Sequence, residues 1–113
     1  MKTICWVVVS AAILVFRPAA ASPSVVISEF MAVNNTTLAD EDGQYSDWIE
    51  LYNSSTTAVN LGGWYLANKA TNLTHWAFPS TNLGPSRFLL VFASNKDRRV
   101  PGKPLHTNFK LSG

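Results

Sequence analysis

The sequence predicts an all-β protein, an antiparallel sandwich or small barrel, on three observations. After residue 21, no segment keeps a helical apolar period for three turns. The apolar residues fall in short runs rich in Val, Ile, Phe, Trp and Tyr, which suit a pleated, half-buried surface. Polar turn segments separate these runs at intervals of roughly 10–15 residues, as in short-stranded sandwiches.

The N-terminus stands apart from this pattern. Lys2 precedes an apolar run of 13 residues, Ile4 to Phe16, and Ala19 and Ala21 then form an A-x-A site. This is the pattern of a secretory signal peptide over residues 1–21, with cleavage expected between Ala21 and Ser22. As a helix the run would reach only about 20 Å, short of a bilayer core of about 30 Å. No membrane span is therefore expected after cleavage. Removal leaves a domain over residues 22–113 with 7 Lys and Arg against 7 Asp and Glu, so the net charge falls to zero. The basic balance of the whole chain thus gives no ground for a nucleic-acid partner. Cys5 is the only cysteine and leaves with the signal, which excludes disulfides, thiolate metal sites and a cysteine nucleophile from the mature protein.

Six strands follow in order. "SVVISEFMAV" (24–33) is the first, and "NNTTLADEDGQYSD" is a polar loop with its tightest turn at Asp42-Gly43. "WIELYN" (48–53) is the second and "WYLA" (64–67), entered through Gly62 and Gly63, the third. "HWAF" (75–78) is the fourth. "RFLLVFAS" (87–94) is the most apolar run and the best candidate for a central strand, and "LHTNFKL" (105–111) begins the last.

The stretch "SDWIELYN" places acids among aromatics, which suits either a reactive site or a strand with one wet face. Strand alternation decides between them. Ile49 and Leu51 share one face with Asp47, while Trp48, Glu50 and Tyr52 share the other. The two carboxylates point apart and cannot act as a paired acid and base. Ile49 and Leu51 are therefore expected in the core, with Trp64, Phe78, Leu90 and Phe92. Glu50 is expected to meet water or a cross-strand cation.

Other candidates are weaker. Asp40, Asp42 and Asp47 are oxygen ligands of the kind calcium takes, but the spacing is not that of an EF-hand. A solvated acidic turn is the simpler reading, and no cofactor is expected. Trp48 and Trp76 could form an exposed aromatic patch that binds sugar or a partner. His75 and His106 lie in separate strands without a cysteine or second histidine nearby, so neither metal binding nor catalysis is expected of them. Neither G-x-S-x-G, a P-loop nor G-x-G-x-x-G occurs. Sequons occur at Asn34, Asn35, Asn53 and Asn72, and would matter only in a eukaryotic secretory pathway. Six acids fall in the first half and the mature chain's bases, among them Arg98, Arg99 and Lys103, in the second. Two solvated loops of opposite sign that can face each other account for this; the alternative is a polyanion patch in loop 96–103.

The order "VISEFMA", "DEDGQYSDWIELYNSS", "LGGWYL", "WAFP", "LGPSRFLLVFAS" and "LHTNFKLS" resembles the lamin-tail domain in its secreted bacterial form. Asn53, Leu61, Gly63, Trp64, Phe78, Pro79 and Leu83 fill that family's short motifs, and the resemblance runs from about residue 24 to 113. It implies an immunoglobulin-like β-sandwich used for interaction and tethering, and does not imply an enzyme; the signal-like N-terminus makes it an expected secreted, cell-envelope or periplasmic protein. Such a sandwich needs about seven strands, so the resemblance also implies that the last strand or strands are missing from the chain as given. The expected partner is another protein domain or a cell-surface polymer. Two alternatives remain: the accessory N-terminal domain of a longer exported enzyme, and weak polyanion binding through loop 96–103.

Overall fold

A computed structural model of the chain describes residues 2–5, 14–16 and 24–112, the first two stretches as backbone only. The described residues form strands and turns without a helix. The strands are β1 (Lys2–Cys5), β2 (Leu14–Phe16), β3 (Val25–Met31), β4 (Asp47–Asn53), β5 (Val59–Asn60), β6 (Trp64–Ala67), β7 (Trp76–Ala77), β8 (Asn82–Leu83), β9 (Phe88–Ala93) and β10 (Leu105–His106). One sheet has the order β10-β9-β4-β3 and a second β2-β1-β6-β7; β5 and β8 form a small pair at the side.

The two larger sheets face each other across one apolar cluster. Val25, Ile49, Leu51, Val91 and Leu105 come from the first sheet, and Trp64, Leu66 and Trp76 from the second. Leu61, Phe78, Leu83, Phe109 and Leu111 fill the gaps from short strands and connectors. Alternation along β4 does what the sequence requires of it: Ile49 and Leu51 are fully buried, while Glu50 and Tyr52 are half-buried on the other face. Glu50 meets a hydroxyl and not a cation, since the Ser28 Oγ donates to its carboxylate at 2.8 Å.

The β9 strand is central, between β10 and β4. Its alternation corrects one expectation. Leu89, Val91 and Ala93 face the main core, so Leu90 and Phe92 face away. Leu90 is only half-buried. Phe92 is buried, but by stacking on the His106 ring with centroids 5.1 Å apart. The physical reason is register: an apolar run with no polar residue to mark its wet face does not reveal which alternate set points inward.

Two further departures concern pairing. The last strand is two residues long and lies parallel to β9, where an antiparallel strand was expected. The expected signal segment contains β1 and β2; β1 lies parallel on the free edge of β6, Lys2 opposite Trp64 and Cys5 opposite Ala67. The Ala21–Ser22 cleavage site lies outside the described residues.

Tight turns supply the corners. The Trp64 N–H donates to the Leu61 carbonyl at 2.9 Å, closing a turn in which Gly63 takes φ 82°. A side chain at that φ would be strained, so glycine is what sends the chain into β6.

Candidate interaction site

Two loops meet over the outer face of the β4–β9 pair: an acidic one between β3 and β4, and a basic one between β9 and β10. Buried polar side chains shape the acidic loop before any charge pairing. Asn34, only 4% exposed, donates from Nδ2 to the carbonyls of Leu38 and Ser46 and accepts through Oδ1 from the N–H groups of Thr37 and Leu38. The Asp47 carboxylate accepts from the Val33 and Asn34 N–H groups at 2.8 and 3.2 Å. The Asp40 carboxylate accepts from the Asp42 and Gln44 N–H groups and the Ser46 hydroxyl, wrapping the turn around itself. Gly43, at φ 75°, completes that turn by donating its N–H to the Asp40 carbonyl.

The basic loop then closes on this frame. The Lys96 ammonium donates to Asp40 and, at 2.8 Å, to Asp42. The Arg98 guanidinium spans Glu41 at 2.6 Å and Asp42 at 2.8 Å. His106, fully buried, donates its Nε2–H to Glu41 at 2.8 Å, and its Nδ1 faces the Ser94 hydroxyl at 2.7 Å. Behind them, Arg99 pairs with Asp97, lies 5.6 Å above the Trp76 ring, and Asp97 accepts from the Trp76 indole N–H. The loops of opposite sign thus face each other as a cross-brace.

The electrostatics follow. Burial alone would raise the Asp40 carboxyl, but Lys96, the loop N–H groups and Ser46 outweigh it and hold it at about 2. Burial likewise opposes, and His106 and Arg98 overcome it, to lower Glu41. Arg98 and Lys96 lower Asp42. Lys96 is disfavoured by burial yet raised by its two carboxylates.

The structure separates the candidate residues of the sequence. Asp40, Glu41 and His106 do bring ligand atoms within 4.8 Å of one another. These donors do not fit calcium, however, because Lys96, Arg98 and the imidazole N–H already fill them, and a hard cation needs six or more free oxygens. Asp47 faces backbone N–H groups instead of joining Asp40 and Asp42. Trp48 and Trp76, candidates for an exposed patch, are 7% and 0% exposed, so neither ring is offered to a partner. Trp48 is buried outside the main cluster, and Trp76 lies within it with its indole N–H on Asp97, a burial no local pattern announces. Arg98 and Arg99 are paired; Lys103 makes no ion pair among the described residues, which leaves little uncompensated charge for a polyanion. Trp64, Phe78, Ile49 and Leu51 lie in the core.

Sequence reasoning missed the Ser94–His106–Glu41 chain. It has the contact order of a nucleophile, a base and an orienting acid. Its placement is that of a buried strut: the ring is sealed and stacked on Phe92, Glu41 is shared with Arg98, and Ser94 also accepts from the Lys96 N–H at 3.3 Å. Residues 12 and 65 positions apart give no spacing signal that could have announced it.

A groove of about 530 Å³ opens beside the brace, with Asn35, Gln44, Tyr45, Asp47, Ser94 and Lys110 on its walls. Fold and site together define an immunoglobulin-like β-sandwich whose opposed charged loops are locked to each other. The chain belongs to the lamin tail domain family, whose family profile matches residues 18–112. The family is a non-catalytic, immunoglobulin-like interaction domain. No curated protein and no solved structure matches the chain.

Proposed function

We propose that this lamin tail domain is an exported, non-catalytic module that attaches to a neighbouring protein domain or a cell-surface polymer. The observation that carries this reading is the brace itself. Asp40, Glu41, Asp42, Lys96, Arg98 and His106 spend their charges and protons on one another. What remains open on that side of the sandwich is a polar surface suited to binding. Export rests on the signal-like N-terminus alone: Lys2, the apolar run to Phe16 and the Ala19/Ala21 site.

The test uses residues 22–113 fused to a fluorescent protein. Saturable retention on isolated cell-envelope fragments, competed by the unlabelled domain, is the expected result. No retention on envelope material and no co-purifying protein partner would overturn the reading. In the same preparation Ser94 should remain unlabelled by a fluorophosphonate probe. Labelling at Ser94 that requires His106 would refute the non-catalytic part.

A further inference from the structure

The loop that walls the groove beside the brace carries two kinds of polar side chain, and the difference between them is informative. Asn34 and Asp40 are buried and fully occupied in holding the loop. By contrast, the side-chain polar groups of Asn35, Gln44, Tyr45 and Lys110 have no hydrogen-bond or ion-pair partner among the described residues, yet they line one groove. Tyr45 is 50% exposed there, a flat ring held on a rigid loop. The groove is therefore pre-formed by one set of groups and left available by another, which is what a ligand site requires.

Its chemistry excludes several ligand classes. The walls are mainly polar, so an apolar ligand would strand amides and hydroxyls without partners. Charge is close to balanced: Lys96 is neutralised by Asp40 and Asp42, and Asp47 and Lys110 add one charge of each sign to the lining. A polyphosphate or sulfated chain would meet Asp47 with little positive field to hold it. The open groups are two amides and a phenol, which both donate and accept, beside the half-exposed ring. Sugar hydroxyls also donate and accept, and the C–H face of a sugar ring packs on an aromatic surface. The geometry points to a saccharide segment as the occupant, laid over Tyr45 and hydrogen-bonded by Asn35 and Gln44. The groove's volume lies within the range of about 300–1,000 Å³ usual for small-ligand sites. This inference rests on the surface-polymer form of the proposed function and names its binding site.

The experiment is calorimetric titration of residues 22–113 with cello-, xylo- and chito-oligosaccharides and soluble peptidoglycan fragments, with heparin as the polyanion control. Binding of at least one saccharide is expected, at least tenfold weaker in Tyr45→Ala and in Asn35→Ala. Both positions are outside the apolar cluster, and circular dichroism would verify the fold. No saccharide binding, binding that both substitutions leave unchanged, or salt-sensitive binding to heparin alone would each overturn the inference. Envelope retention separates this from the broader reading. If the domain is retained on envelope fragments and Tyr45→Ala is retained equally, the groove inference falls and the interaction module stands. No retention of the wild-type domain together with no co-purifying protein partner brings down both.

Discussion

Asn53 carries more of this fold than its sequence context suggests. It is fully buried at the end of β4, donates from Nδ2 to the carbonyls of Thr57 and Leu83, and accepts from the N–H and hydroxyl of Ser55. Asn53→Ala removes all four of these bonds from a buried position and should cost on the order of 2–3 kcal/mol, measured by urea denaturation. Asn53 and Asn34 read in the sequence as ordinary polar-loop residues, and both are instead interior fasteners. The tryptophans divide in the same way. Trp64 fills the space between the sheets, so Trp64→Ala should cost about 3–5 kcal/mol, the usual scale for deleting a large buried aromatic. Trp48 is buried too, but its indole N–H has no hydrogen-bond partner among the described residues. Trp48→Phe therefore loses packing without losing a hydrogen bond, and should cost under about 1.5 kcal/mol. Equal losses in the two variants would show that the core assignment is wrong.

At the scale of elements, the two charged loops act as one brace across the β4–β9 pair. Asp40 has a fully buried side chain and Lys96 a mostly buried one, so Lys96→Ala leaves a buried carboxylate without its cation and should cost on the order of 3 kcal/mol. The exposed Arg99–Asp97 pair should matter much less, under about 1 kcal/mol for Arg99→Ala. The brace also sets a pH dependence. Asp40 sits at about 2 in the fold against an ordinary 3.8. A depressed carboxyl stabilises the fold fully above its unfolded value and stops doing so as pH falls through its folded value. Stability should therefore decline between about pH 4 and pH 2, by on the order of 2 kcal/mol from Asp40 alone. The lowered Glu41 and Asp42 carboxyls act in the same direction. Lys96, raised above 10.5, contributes in the opposite sense: its part is intact below that value and is lost in strong alkali. Melting temperature against pH for wild type and Lys96→Ala is the direct measurement. The variant should show a shallower acid limb, and an unchanged limb would rule out the brace as its source.

The whole molecule is a sandwich of two sheets whose second sheet is completed at one edge by β1. That edge joins export to stability. If export removes residues 1–21, as the N-terminal pattern predicts, the β1 pairing goes with them and the edge of β6 is uncovered. Mass spectrometry of exported protein should then find Ser22 at the N-terminus. Amides within Trp64–Ala67 should exchange with solvent faster in the 22–113 chain than in the 1–113 chain, while those of β4, held between β3 and β9, stay equally protected. Equal protection of β6 in both chains would remove β1 from any part in the edge.

Local pattern and single-element periodicity determined the all-β class, the main strands of the sandwich, the face of β4 that enters the core, and the opposition of an acidic loop to a basic one. These are legible because strand alternation, turn residues and net charge are properties of neighbouring residues. The inward face of β9 was not, since Phe88 to Ala93 is apolar on both sides and only packing against Trp48 and His106 assigns Phe92 to the outer layer. The parallel seat of β10, the chain Ser94–His106–Glu41 and the burial of Trp48 and Trp76 depend equally on which distant segments meet. Nor could the sequence say which charges are free. Arg98 in isolation is a candidate for a polyanion, and becomes part of a brace only when folding brings Glu41 and Asp42 within 3 Å of it. Tertiary structure decides these points because pairing partners more than fifty residues apart leave no periodic trace in the chain.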